Sequence, residues 1–204
     1  MGCAIVNLKD IPCFGENGDT MNTVTVRNVE IGAGMPKICV PIVGENRESI
    51  LVQARTIKTL PADLVEWRVD YLNNVSSLSL LTVLTFLSEL RNELGDIPLL
   101  FTFRTKREGG EKSISPQAYE ELYKAILMSG LVDLIDVELF LDRETVSRLI
   151  QTAHENGVPV IVSNHLELQP MAFFYGIPFV HIPITRTQEG TDTKAEAEAK
   201  LLDL

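Results

Sequence analysis

From residue 36 onward the chain alternates short, strongly apolar runs with longer segments whose apolar residues recur about every 3.6 positions, the pattern of strand followed by helix. The apolar runs predict strands at 37–43, 63–70, 98–104, 132–140 and 158–164. Between them, residues 47–59 bring Ile50, Leu51, Ala54 and Ile57 to one helical face, and residues 77–94 do the same with Leu80, Leu81, Leu84, Leu87 and Leu90. Ser115-Pro116 reads as a cap with proline at the first helical position, and that helix stops before Gly130. A fourth helix opens at Asp142 and stops at Gly157. Ahead of this rhythm, residues 23–31 alternate, with a turn at Arg27-Asn28, and predict a short hairpin.

Five consecutive strand–helix units imply parallel strands, arranged as a closed barrel or as an open doubly wound sheet. Periodicity alone does not choose between them. After residue 165 the rhythm changes: 166–176 suggests a short helix, 177–184 a strand interrupted by Pro178 and Pro183, and 194–204 a charged, alanine-rich helix. At most six parallel strands therefore follow the hairpin, whereas a complete eight-stranded barrel takes about 250 residues.

The polar positions inside these strands carry the chemical signal. Alternation puts Glu66, Arg68 and Asp70 on one face and Trp67 and Val69 on the other, and Asp136 and Glu138 repeat the pattern. Arg104 stands at the C-terminal end of its strand, where α/β folds present their ligands. Burying charge is costly unless it is paired, so such a ring is either a structural ion-pair network or a site for a polyhydroxylated anion. Glu108 and Glu111 flank Gly109-Gly110 in the following loop, which on its own reads as a solvated turn. His165 ends a very apolar strand, where it serves as general acid and base if a carboxylate such as Glu108 orients it, or else is a satisfied structural histidine. His154 reads as surface decoration, and His181 has no assignment.

Composition narrows the partners. The chain has 204 residues, is 45% hydrophobic and 23% charged, and carries a formal charge of -10. Such an excess of acid argues against a nucleic-acid partner and requires any acidic metabolite to be held by local arginines. Cys3, Cys13 and Cys39 are odd in number and lack metal-ligand spacing, which suggests a cytoplasmic protein with no metal site. No apolar run reaches the length of about 18 that spans a bilayer, residues 1–20 lack a signal-peptide stretch, and Val6 stands where myristoylation needs Ser or Thr. Gly109-Gly110 has neither phosphate-loop nor dinucleotide spacing, so no cofactor is expected.

The segments EWRVD, LLFTFRTKREGGE, VDLIDVELF and VIVSNH occur in an order and spacing that resemble type I 3-dehydroquinate dehydratase, over residues 22–165. The resemblance implies an α/β fold: an incomplete (β/α)8 (TIM-type) barrel with an N-terminal β-hairpin, about six parallel strands and an atypical C-terminal tail. It also implies a shikimate-pathway lyase that dehydrates 3-dehydroquinate to 3-dehydroshikimate through a Schiff base on a lysine. Carried over, His165 is the proton-shuttling histidine and Glu108 its orienting carboxylate, while Glu66, Arg68 and Arg104 contact the ring hydroxyls. Pro41 stands where many relatives have a serine contact.

Beyond His165 the family's lysine-bearing strand has its nearest echo at Ile177-Pro178-Phe179-Val180, with phenylalanine at the lysine's place, and Lys194 and Lys200 lie in the charged helix. Residues 160–204 instead resemble an internal piece of formyltetrahydrofolate deformylase, without that family's catalytic residues. The expected organisation is a leader over 1–20, a partial dehydroquinate dehydratase barrel over 21–165 and a deformylase-like tail over 166–204. Two functions stay open: the dehydratase, or a catalytically inactive truncated or chimeric fragment acting at most as a binding module. The exposed edge of an unclosed sheet leaves room for a homo-oligomer.

Overall fold

The computed structural model describes residues 2–6, 23–32, 35–73, 80–139 and 141–165. Its strands are β1 (Gly2–Val6), β2 (Val24–Val26), β3 (Val29–Ile31), β4 (Cys39–Ile42), β5 (Leu64–Arg68), β6 (Leu99–Thr102), β7 (Leu134–Glu138) and β8 (Val160–Asn164). Its helices are α1 (Arg47–Ile57), α2 (Leu80–Leu94), α3 (Pro116–Met128) and α4 (Arg143–Glu155). The chain is α/β. β4 to β8 are parallel neighbours in chain order, and β1 adds antiparallel on the outer side of β8, so the sheet order is β1-β8-β7-β6-β5-β4.

Local chemistry sets most of these boundaries. Asn46 caps α1 by accepting from the Ser49 amide at 3.0 Å while the Ser49 hydroxyl accepts from the Asn46 amide, a reciprocal capping box. Ser115 and Asp142 cap α3 and α4 through the Ala118 and Thr145 amides, and Pro116 opens α3 as its sequence predicts. In α2 the buried stripe is Val83, Leu87, Leu90 and Leu94, whereas Leu80 and Leu81 are exposed. Leucine is so dense in this segment that two overlapping stripes fit a helical period, and packing against the sheet selects the more C-terminal one.

Alternate strand residues face opposite sides of the sheet. Val65, Trp67, Leu99, Phe101, Ile135, Val137, Val160 and Val162 join the core shared with the helices. Trp67 meets Phe101 edge-on at 5.8 Å, Phe101 meets Tyr123 at 5.2 Å, and the Tyr123 hydroxyl accepts from the Phe103 amide. Each such ring pair adds about 0.5–1.5 kcal/mol beyond burial. On the other face Cys39, Leu64, Leu100, Leu134 and Ile161 form a second apolar layer, covered by Val26 and Ile31 of the β2–β3 hairpin. The hairpin is fastened by Arg27, which donates to Asp133 at 2.6 Å, and Asp133 also accepts from Arg91 and from the Leu99 amide.

Five parallel strands are described, and the segment expected as the sixth, 177–184, lies outside the described residues along with the rest of the 166–204 tail. Within the leader expected over 1–20, Gly2–Val6 pairs with β8 over five residues. Its uncharged Gly-Cys-Ala-Ile-Val run satisfies the backbone groups that β8 presents on its outer side. Among the described residues the longest helix, α2, has 15 residues, and none is long and apolar enough to cross a membrane.

The loop after β6 positions the site and depends on two glycines. The Gly110 amide donates to the Thr105 carbonyl at 2.9 Å, and a Cβ on Gly110 would fall 1.9 Å from the Arg104 carbonyl oxygen. Gly109 stands at φ +82 with open space around the missing side chain. Gly109→Ala therefore costs only backbone strain, about 1 kcal/mol, whereas Gly110→Ala forces the loop off β6 and costs about 2 kcal/mol or more. Urea-unfolding midpoints of the two variants check this ordering, and equal losses contradict it.

Candidate active site

The sheet face that carries the second apolar layer also carries the polar strand positions, at the C-terminal ends of the parallel strands, where such folds collect ligand groups. β5 supplies Glu66 and Arg68, the turn at Val69–Tyr71 supplies Asp70, and β7 supplies Asp136 and Glu138. Arg104 and Glu108 follow β6, Ser163 lies in β8, and His165 comes just after β8. Those on β5, β7 and β8 continue the parity of an apolar residue in the layer below: 64, 66, 68 on β5; 134, 136, 138 on β7; 161, 163, 165 along and just beyond β8. All are buried except His165, which is partly exposed.

Arg104 joins four of these groups. Its guanidinium donates to Ser163 Oγ at 2.8 Å, pairs with Asp136 at 3.0 Å and Glu138 at 3.4 Å, and lies 3.8 Å from Glu108. Ser163 in turn donates to Asp136 at 2.9 Å. Burial opposes the Arg104 charge, but Asp136, Glu138 and Glu66 outweigh it and hold its pKa above the ordinary value. Arg68 is held by Asp70 through two parallel bonds of 2.8 Å, and its guanidinium stands 5.1 Å over the Tyr71 ring. Asp70 also accepts from the backbone amides of Arg104 and Glu111, tying the β5 end to the loop.

The balance of charge is acidic: Glu66, Asp70, Glu108, Asp136 and Glu138 face Arg68 and Arg104. Desolvation and then Asp136 push the Glu66 carboxyl up, against the pull of Arg68. Desolvation raises Glu138 despite two bonds from Thr105. Desolvation and Glu138 raise Glu108 to about 7. His165 moves the other way, to about 4, because burial and the Arg104 charge disfavour the imidazolium. Near neutrality the imidazole is thus uncharged, and Glu108 titrates far closer to neutrality than an ordinary carboxyl.

The five predicted site residues all reach this one face. The link between Glu108 and His165 runs through the backbone: Glu108 Oε2 accepts from the His165 amide at 2.9 Å, and the imidazole Nε2 is buried with no hydrogen-bond partner among the described residues. That free nitrogen can take or deliver a proton at a bound molecule. Sequence spacing does not assign Asp70, Glu138 and Ser163 as holders of the two arginines, or Thr105 as the donor that holds Glu138. Strand parity carries the signal for Ser163 and Glu138, whereas Thr105 gives none until β6 and β7 are adjacent. Pro41 lies beside Glu66 in the β4–β5 register, with no side-chain donor to offer. Among the described residues no group of three or more His, Cys, Asp or Glu is placed to hold a metal ion.

A family model described as type I 3-dehydroquinase matches residues 38–171, running past His165 into the tail. The 3-dehydroquinate dehydratase of Syntrophotalea carbinolica is 48% identical over 145 residues, 71% of this chain and 56% of the relative. That of Clostridioides difficile is 50% identical over 142 residues, 70% of this chain and 55% of the relative. Among solved structures, the type I 3-dehydroquinate dehydratase from Clostridium difficile with covalently modified comenic acid superposes with a TM-score of 0.67 at 48% identity, over 69% of this chain and 55% of that one. The Enterococcus faecalis enzyme gives a TM-score of 0.64 at 43% identity, over 67% of this chain and 56% of that one. The chain thus spans little more than half the length of these relatives. A family match over most of the chain, carrying every one of the buried charged positions described above, makes this protein a member of the type I 3-dehydroquinase family.

Proposed function

We propose that residues 21–165 carry the hydroxyl-binding and proton-transfer half of a 3-dehydroquinate dehydratase site, in a cytoplasmic lyase of the shikimate pathway. One observation carries this reading: Glu66, Arg68, Arg104, Glu108 and His165 converge on a single face at the C-terminal ends of five parallel strands. Dehydrating a β-hydroxy ketone requires a base for the proton next to the carbonyl and an acid for the departing hydroxyl. The uncharged imidazole of His165 suits the first task, and the same ring, once charged, suits the second. Arg68 and Arg104 are already neutralised by Asp70, Asp136 and Glu138, so they serve as donors to ring hydroxyls and not as a counter-charge for a substrate carboxylate. The covalent step asks for a desolvated amine that the ketone can capture.

A second reading is the catalytically inactive fragment, truncated or joined to a deformylase-like tail at 166–204, which binds the substrate without turning it over. What favours it is that no lysine among the described residues is buried, and Lys37, Lys58, Lys106, Lys112 and Lys124 are half-buried or exposed. Phe179, Lys194 and Lys200 lie outside the described residues. Incubating the full chain with 3-dehydroquinate and borohydride and then weighing it separates the two. The dehydratase traps an adduct; the binding fragment keeps its mass while the substrate still raises its melting temperature.

The two shifted groups give opposite pH signatures. Glu108, raised from 4.5 to about 7, stabilises the fold at low pH and loses that contribution as pH rises from 4.5 through 7. His165, lowered from 6.5 to about 4, contributes fully above 6.5 and loses it as pH falls through 4. Relative to wild type, Glu108→Gln should therefore gain about 1–3 kcal/mol as pH rises across its window. His165→Asn should gain on going down in pH instead. Unfolding free energies of both variants from pH 4 to 8 check this, and difference profiles of the same sign contradict the two assignments.

A further inference from the structure

The parallel strands are laid down in chain order from β4 to β8, so any further strand of that progression adds on the outer side of β8. That side is taken by β1, which runs antiparallel to it with five residue pairs from Gly2 opposite Asn164 to Val6 opposite Val160. The two natural edges of the parallel sheet differ in how they are blunted. β4 is four residues long with Pro41 inside it, which removes a backbone donor and discourages pairing. β8 is Val-Ile-Val-Ser-Asn, without proline or charge, and has no such protection of its own.

We propose that Gly2–Val6 is a built-in edge cap that keeps β8 from pairing with a second copy of this chain. The occupant follows from the geometry. β1 demonstrates that the β8 edge accepts an antiparallel strand, and two β8 strands related by a two-fold axis normal to the sheet are antiparallel. Because β8 leads into His165, whose amide is held by Glu108, displacing β1 places the new partner beside the candidate site. The leader thereby sets both the assembly state of the chain and the surroundings of its histidine.

Amide hydrogen exchange and sedimentation of the full chain test the proposal, with the Ala4→Pro/Ile5→Pro variant as the perturbation. Proline at two adjacent positions removes β1 backbone donors whichever side they face. The expected wild-type result is a monomer in which the β8 amides on the β1 side exchange slowly. In the variant those amides should exchange about ten-fold faster or more when the chain is dilute, and the mass should double as concentration rises. The β8 amides on the β7 side should stay slow, which reports that the sheet is intact. If they do not, Ala4→Asp/Ile5→Asp weakens β1 more gently and is judged by the same two outcomes. Rapid exchange of the β1-side amides in the wild-type chain, or a variant that stays monomeric with its β8 edge open, overturns the proposal.

Discussion

A buried guanidinium among carboxylates is the constraint around which the rest of this protein is arranged. The side chain of Arg104 is 6% exposed and lies within 4 Å of Asp136, Glu138 and Glu108. Removing the cation would leave three acids from two structural segments facing one another in a poorly solvated space, and such uncompensated burial costs about 3–5 kcal/mol. Removing the acids would strand the cation. Neither side of the cluster is stable without the other, and this ties the end of β6 to β7 and, through Ser163, to β8.

The arrangement is possible because this face of the sheet is built in two layers. Its lower layer is apolar and closed by the hairpin, which Arg27 fastens to Asp133. That closure keeps water from below, lowers the local dielectric and strengthens each charged contact above it. The outer face of the sheet is conventional, with Trp67, Phe101 and Tyr123 packed edge to face under the helices. Rigid packing on one side thus holds a strained excess of acid on the other. Burial is the first cause of both shifts: together with Glu138 it raises Glu108 to about 7, and together with the Arg104 charge it lowers His165 to about 4.

In the function proposed above, arginines and histidine divide the labour. The arginines are saturated by their own carboxylates and offer directed hydrogen bonds with little net charge, which suits hydroxyl groups better than a carboxylate. The histidine is left uncharged with Nε2 unbonded among the described residues, which suits proton transfer. Opposite pKa shifts on neighbouring groups are a recurring way to divide acid and base roles within one site.

By itself the sequence determined the five strand segments, the helix α1 by its period, the capped helices α3 and α4, the hairpin turn at Arg27-Asn28, and the face shared by Glu66, Arg68 and Asp70. These follow from period, capping chemistry and parity, which act over a few residues. It also placed Arg104, Glu108 and His165 in one site through their resemblance to a family. Tertiary structure alone decided that packing selects Val83, Leu87, Leu90 and Leu94 as the buried stripe of α2. It likewise decided that Glu108 holds the backbone of His165 and that Gly2–Val6 pairs with β8. Each of these joins residues distant in the chain, or weighs one face against another. Spacing cannot carry such information, because the energies concerned arise only once separate segments exclude water together.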